Sequence, residues 1–158
     1  MPIYVKYGAI EGDVTATGHE SWIEVNSVQW GVGRSIASPV GGSSDREAAA
    51  PSVSEIVVTK PTDNASIKLL NESLEGEGED VTIDFCMTDK GELNVYLSYA
   101  LANTMISGYS LSSGGDRPLE SVSLSFTKIA CTGVPMGAQN DDGQPATVTY
   151  DIGLAKIV

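Results

Sequence analysis

Histidine, cysteine and basic residues are scarce in this 158-residue chain. One His (His19) and two Cys (Cys86, Cys131) cannot supply the full Cys/His ligand set of a structural zinc site. Any Ser-His or Cys-His mechanism would have to run through His19. Nine Lys and Arg stand against 21 Asp and Glu, a formal charge of −12. That field repels phosphate backbones and anionic lipid, so nucleic acid and membrane surfaces are excluded as expected partners. No stretch reaches the ~18 consecutive apolar residues of a membrane-spanning helix. The opening "MPIYVKYGAIEGD" has no basic n-region, no apolar h-region and no small-residue cleavage site. The expectation is a protein made in the cytoplasm that leaves, if it leaves, without a cleaved signal. The sequons at Asn64 and Asn71 then carry no glycan, and the two cysteines are expected to be reduced.

What is present is turn-rich and apolar enough to fold. There are 17 Gly and 7 Pro, and 41% of residues are hydrophobic. A chain of this length buries roughly 70% of its unfolded surface, so one domain over residues 1–158 needs no disulfide or metal. The dominant period is two. Ile3, Val5 and Tyr7 alternate with polar neighbours, as do Val81, Ile83, Phe85 and Met87, then Leu93 to Leu101. Val122, Leu124 and Phe126 alternate with Ser121, Ser123, Ser125 and Thr127. Asp89-Lys90-Gly91 signals a hairpin, and Ala146 to Leu154 reads as the last strand. Between Glu20 and Arg34 the parity slips near Asn26-Ser27, which predicts a bulge where a strand changes the face it buries. Val53–Lys60 reads as a strand ended by Pro61.

Residues 35–52 form a Gly/Ser/Ala/Pro-rich stretch without apolar period, which predicts a long loop of functional use. One helix follows Thr62-Asp63-Asn64, with Ile67, Leu70 and Leu74 as its buried stripe and Gly76 as its stop. The fold class expected is mainly β: a single-domain closed β-barrel or sandwich with one flanking α-helix.

The candidate motifs each have a plainer account. Gly31-Val32-Gly33 opens like a dinucleotide fingerprint but lies inside a strand pattern, where close packing of a twisted strand accounts for it. Asp141-Asp142-Gly143 lacks the spacing and distal Glu of a calcium loop and reads as a hairpin turn. The acidic segment Glu72–Glu92 reads as a solvated face, with only Asp84 inside a strand. His19 sits in a turn with no nucleophile beside it, so a structural role is expected. The stripes Ser121/Ser123/Ser125/Thr127 and Thr147/Thr149/Asp151 are unusually poor in Lys and Glu for a solvent face. They suit an intermolecular surface or the lining of a channel.

Three segments carry a resemblance. "GDVTATGHESWIEVNSVQWGV", "ISGYSLSSGGDRPLESVSLSFTKI" and "GQPATVTYDIGLAKIV", in that order, resemble the haemolysin-coregulated protein (Hcp) family. These are tube proteins of type VI secretion systems, with the fold of contractile-phage tail tubes. The resemblance implies homohexameric rings that stack into a hollow tube inside a contractile sheath, behind a tip spike. It implies carriage of small effector toxins in the lumen, and export through the secretion machine without a cleaved signal peptide. It implies no catalytic residue, no cofactor and no metal. Gln29 and Ser113 match positions where the family faces its channel. The stretch with Ser38, Gly41, Gly42, Ser43, Asp45, Arg46 and Glu47 matches the loop that extends from the ring face. The alternative is a tail tube protein of a contractile phage or phage-derived particle, which neighbouring genes would separate.

Overall fold

The computed structural model describes residues 1–38, 40–41, 46–135 and 143–158. Alternating apolar residues form β1 (Ile3–Tyr7) and β2 (Ile23–Val25), which pair antiparallel. β3 (Ser27–Gln29) follows after the single residue Asn26. Next come β4 (Val32–Gly33), β5 (Ile36–Ala37), β6 (Glu47–Ala48) and β7 (Ser52–Val53). β8 (Ile56–Pro61) leads into α1 (Ser66–Glu75), and β9 (Glu79–Asp89) turns into the long β10 (Glu92–Ser112). β11 (Leu119–Ser125), β12 (Lys128–Gly133), β13 (Ala146–Asp151) and β14 (Lys156–Ile157) complete the chain.

The architecture is mainly β, with one ten-stranded antiparallel sheet wrapped around an apolar core. β10 is its spine. Its first half pairs with β9 on one edge and β12 on the other, and its second half pairs with β11. β8 and then β3 continue from β11, while β1 and β2 continue from β9. Both ends of that path are adjacent pieces of chain. The parity slip at Asn26 is where the chain leaves β1 and joins β8, and the Asn26 N–H donates to the Thr59 carbonyl at 2.6 Å. Ile23 and Val25 are buried before the corner, and Val28 packs against the core after it.

Ile56, Val58, Val122, Leu124, Ile83 and Val81 fill the interior from facing strands. The void lined by Val5, Ile23, Val58, Leu69 and Val122 is only about 10 Å³, about room for a single water. A ligand-carrying barrel interior is therefore not what this fold builds.

Four expectations need correction. The described residues between Val32 and Val53 form a ribbon arm: β4 pairs with β7 and β5 with β6. Two-residue ladders leave no period for a sequence pattern to show. Gly31 and Gly33, at its root, have open space where a side chain would stand, so close packing is not their reason. The stretch from Leu93 to Leu111 lies within one 21-residue strand whose register shifts at three places, Val95/Leu97, Leu101/Thr104 and Ile106/Gly108. The helix occupies its predicted span but buries Ser66 and Leu69, with Ala65 just before it. Ile67 and Leu74, read from the sequence as its core stripe, are 75% and 78% exposed.

Candidate functional site

The second half of β10, with β11, β8 and β3, makes a four-stranded surface whose outward rows are read from the ladder. Ser110, Ser121, Thr59 and Ser27 stand side by side across it, and Ser27 and Thr59 join their hydroxyls. The next row is Gly108, Ser123, Val57 and Gln29. Neither row holds a charged side chain, on a chain of net charge −12. Gln29 is exposed at the end of β3, as its parity against Val28 requires. Ser113 is exposed in the turn after β10, where its hydroxyl donates to the Asp116 carbonyl at 3.3 Å. The two are not neighbours: from Gly108 to Ser112 is roughly 13 Å of strand at ~3.3 Å per residue. Both long edges of this surface are unpaired among the described residues, since β3 pairs only with β8 and residues Met105–Ser112 only with β11.

Of the arm residues, Ser38, Gly41, Arg46 and Glu47 are exposed, and Gly42, Ser43 and Asp45 lie outside the described residues. Arg46 is exposed, and its Nε donates to the Ser38 hydroxyl at 3.2 Å, across the ribbon. Glu47 belongs to β6, opposite Ala37. Where the arm leaves the body, Trp30, Val32 and Val53 face Val148, Tyr150 and Ile157 across an apolar groove of about 190 Å³. Val32, Val148 and Ile157 remain more than half exposed there, which is a large apolar surface for a lone subunit to show water. Of the proposed calcium-like turn, Asp141 and Asp142 lie outside the described residues, and the Gly143 N–H donates to the Pro135 carbonyl at 2.7 Å.

The titratable side chains that are buried are tied to one another. His19 is 7% exposed and packs against Tyr4 and Trp22 at 5.1 and 4.6 Å between ring centres. Its Nε2 lies 2.8 Å from Asp84 Oδ2, and the Ser98 hydroxyl donates to Asp84 Oδ1 at 2.7 Å. The carboxylate therefore stands between serine and imidazole. A nucleophile needs its base as the direct partner, so this order cannot activate Ser98. Asp84 corrects the reading of Glu72–Glu92 as a wholly solvated face: loop 13–22 folds over this side of β9 and buries it.

A second group went unread in the sequence. Lys60 and Glu120, opposite each other on β8 and β11, are 1% and 0% exposed. Lys60 Nζ donates to Glu120 Oε2 at 2.6 Å, Asp63 Oδ1 at 2.9 Å and Ser66 Oγ at 3.2 Å. Ser66 in turn donates to Glu120 at 2.8 Å, and the Tyr109 hydroxyl donates to its other oxygen. Burial alone would raise the Glu120 pKa, but hydrogen bonds from Lys60, Tyr109 and Ser66 outweigh it and hold the carboxyl below its ordinary value. Tyr109 is driven the other way, by burial and then by its bond to Glu120. The signal was available: Glu120 shares parity with buried Val122 and Leu124, and Lys60 with Ile56 and Val58. Burial, with Asp84 adding a smaller push, raises the Cys86 thiol to about 11, and burial raises Cys131 too, so neither is a thiolate nucleophile near neutrality.

No curated protein matches the chain by sequence. A family model described as "Type VI secretion system effector, Hcp" matches residues 4–132. Among solved structures, one described as a type six secretion system protein superposes with a TM-score of 0.90 at 22% identity, covering 99% of both chains. Hcp1 from Salmonella typhimurium follows at 0.78 and 23% identity, covering 99% of this chain and 98% of that one. Hcp3 from Pseudomonas aeruginosa gives 0.63 at 21% identity, with 95% and 99% covered. At such identities the structures establish the shared fold, and the family model, spanning most of the sequence, establishes descent: the chain belongs to the Hcp family of type VI secretion tube proteins.

Proposed function

We propose that this subunit forms homohexameric rings that stack into a hollow tube, carry small effectors in the lumen and leave the cell with the tube when a sheath contracts behind a tip spike. The observation that carries the reading is the pair of uncharged, hydroxyl-rich rows across β3, β8, β11 and β10 on an otherwise strongly acidic chain. Water-facing surfaces of monomers are normally studded with Lys and Glu. A neutral wall of small side chains suits a bore through which polypeptides of either charge must slide. Its two unpaired edges are templates for a neighbour's backbone, and heterologous contacts of that kind close into rings. The apolar groove between Trp30 and Ile157 offers further surface for the neighbour to bury.

In this arrangement Gln29 faces the bore, Ser113 lies near its rim and the arm carrying Ser38, Gly41 and Arg46 reaches the next ring. No step of chemistry is assigned to any of them. The experiment is native mass spectrometry with electron microscopy on the intact chain, on a chain with residues 35–50 replaced by a tight turn, and on Ser113→Trp. The expected results are a six-fold ring for all three and stacked tubes only with the arm. A cell-based comparison at equal ring levels should show lower toxin abundance with Ser113→Trp. A native mass of one chain would refute the ring; tubes without the arm would reduce it to a connector. A ring lost in Ser113→Trp would place that residue at a subunit interface.

A further inference from the structure

We propose that the outward face of α1, with the cleft between it and the turn after β1, docks a basic amphipathic segment of another protein. Ile67 and Leu74 lie two helical turns apart, on one face with Asn71, and both are more than three-quarters exposed. A helix normally turns its apolar residues toward its own sheet; here the network around Ser66 holds the opposite face down, and the apolar stripe points away.

The cleft beside the stripe has a volume of about 430 Å³. Ala9 and Ile10 form one wall, Ile67 and Asn71 the other, and Glu72 and Glu79 close it. The carboxylates are set toward it. Glu72 Oε2 is buried without a hydrogen-bond partner among the described residues, an arrangement that a cation or donor from outside would complete. Glu79 rests against Gly8, where a Cβ would stand 2.8 Å from its Oε2. Tyr7 at the floor feels both: burial first, then Glu72 and Glu79, push its phenol up to about 12. Glu75, Glu77 and Asp80 extend the acidic edge, and Lys68 is the one cation lining the cleft.

Charge selects the occupant. A second copy brings a net −12, a field that opposes its approach to an edge already rich in carboxylates. A segment with aliphatic residues spaced to cover Ile67 and Leu74, and Lys or Arg set to reach Glu72 and Glu79, satisfies both the apolar stripe and the carboxylates. The inference stands apart from the tube reading, because the surface is present on a single subunit.

The test uses the intact protein in its native assembly and two labelled helical peptides of one pattern, built from Leu with Lys and from Leu with Glu. Binding is read by fluorescence anisotropy at several salt concentrations. The Leu/Lys peptide should bind and the Leu/Glu peptide should not. Ile67→Ser with Leu74→Ser should weaken binding at least about tenfold, since each covers an apolar side chain worth more than ~1 kcal/mol. Glu72→Gln with Glu79→Gln should weaken it and flatten its salt dependence. Glu11→Gln with Glu24→Gln, which removes equal charge elsewhere, should leave it nearly unchanged. Equal losses from that control pair would mean plain attraction to an acidic protein and overturn the proposal. Indifference to Ile67→Ser with Leu74→Ser would overturn it too. A changed native mass in the Ile67/Leu74 variant would show that a copy of the chain covers this face, and would overturn it without touching the ring.

Discussion

Two polar clusters are buried in this small fold, and they are solved differently. The Lys60–Glu120 cluster lies inside the sheet, with three donors converging on one carboxylate and three acceptor side chains around one ammonium. Lys60, Asp63, Ser66 and Glu120 each bind at least two others, Tyr109 of β10 joins through Glu120, and the members come from β8, the α1 approach, β10 and β11. The His19–Asp84 cluster lies outside the sheet, under a loop. It is a chain rather than a net, and His19 Nδ1 is left without a partner among the described residues. Connectivity decides what a buried polar group is worth. The first cluster joins the helix start to three strands through mutual bonds among Lys60, Asp63, Ser66 and Glu120; the second holds a loop and can lose an end.

Removing the hub of the net should therefore cost most. Glu120→Ala leaves the buried Lys60 ammonium with Asp63 as its one carboxylate, beside Ser66 and the Pro61 carbonyl, and should lower unfolding free energy by about 3–5 kcal/mol, measured by urea denaturation. If it costs no more than a surface substitution, the network is ornamental.

Acid should attack the same cluster more gently. The Glu120 pKa is lowered from 4.5. A depressed carboxyl contributes stability that is present above its unfolded value and lost as pH falls through the folded one. Urea midpoints of the wild type should fall more steeply below about pH 4.5 than those of Glu120→Gln, which has no proton to take up there. Parallel curves would show that other carboxylates govern acid unfolding.

The loop cluster should respond less. His19→Ala removes one hydrogen bond and a ring packed on Tyr4 and Trp22, but Ser98 still serves Asp84; about 2 kcal/mol is expected. A loss matching that of Glu120→Ala would erase the contrast between net and chain. Smallest is Ser98→Ala, at about 1 kcal/mol in the same denaturation assay, because Asp84 keeps its imidazole. A larger loss would make Ser98, and not His19, the anchor.

These clusters also mark where the sequence is readable. β1, β9 and β11 follow directly from alternation, and the turn at Lys90-Gly91 has the positive φ values, 51° and 81°, that its residues announce. The helix span was legible, but its face was not. Ile67/Leu70/Leu74 is the better apolar stripe by composition, yet Ser66 is the residue pulled inward, by partners on β8 and β11 that helical periodicity does not see. Asp84 hid for a similar reason: β9 is covered on both sides, so its alternation does not separate inside from outside. The match of Gln29 and Ser113 to a channel rests on family likeness, and a single subunit supplies only their exposure and the neutral rows near Gln29.

The bent spine has one more consequence, for how the molecule opens. β10 gives its first half to β9 and β12 and its second to β11 without a break in the chain. Neither half of the sheet can shed it privately. Partial unfolding that frees β9 strips one edge of β10 while β12 still holds the other, and the disturbance passes along one continuous backbone to β11. The hydrogen-bonded amide protons on both halves of β10 should then exchange with solvent at a common, slow rate set by whole-molecule opening. The arm, held by two-residue ladders, should exchange early. A subunit with that division is stiff in its wall and yielding only at its projection.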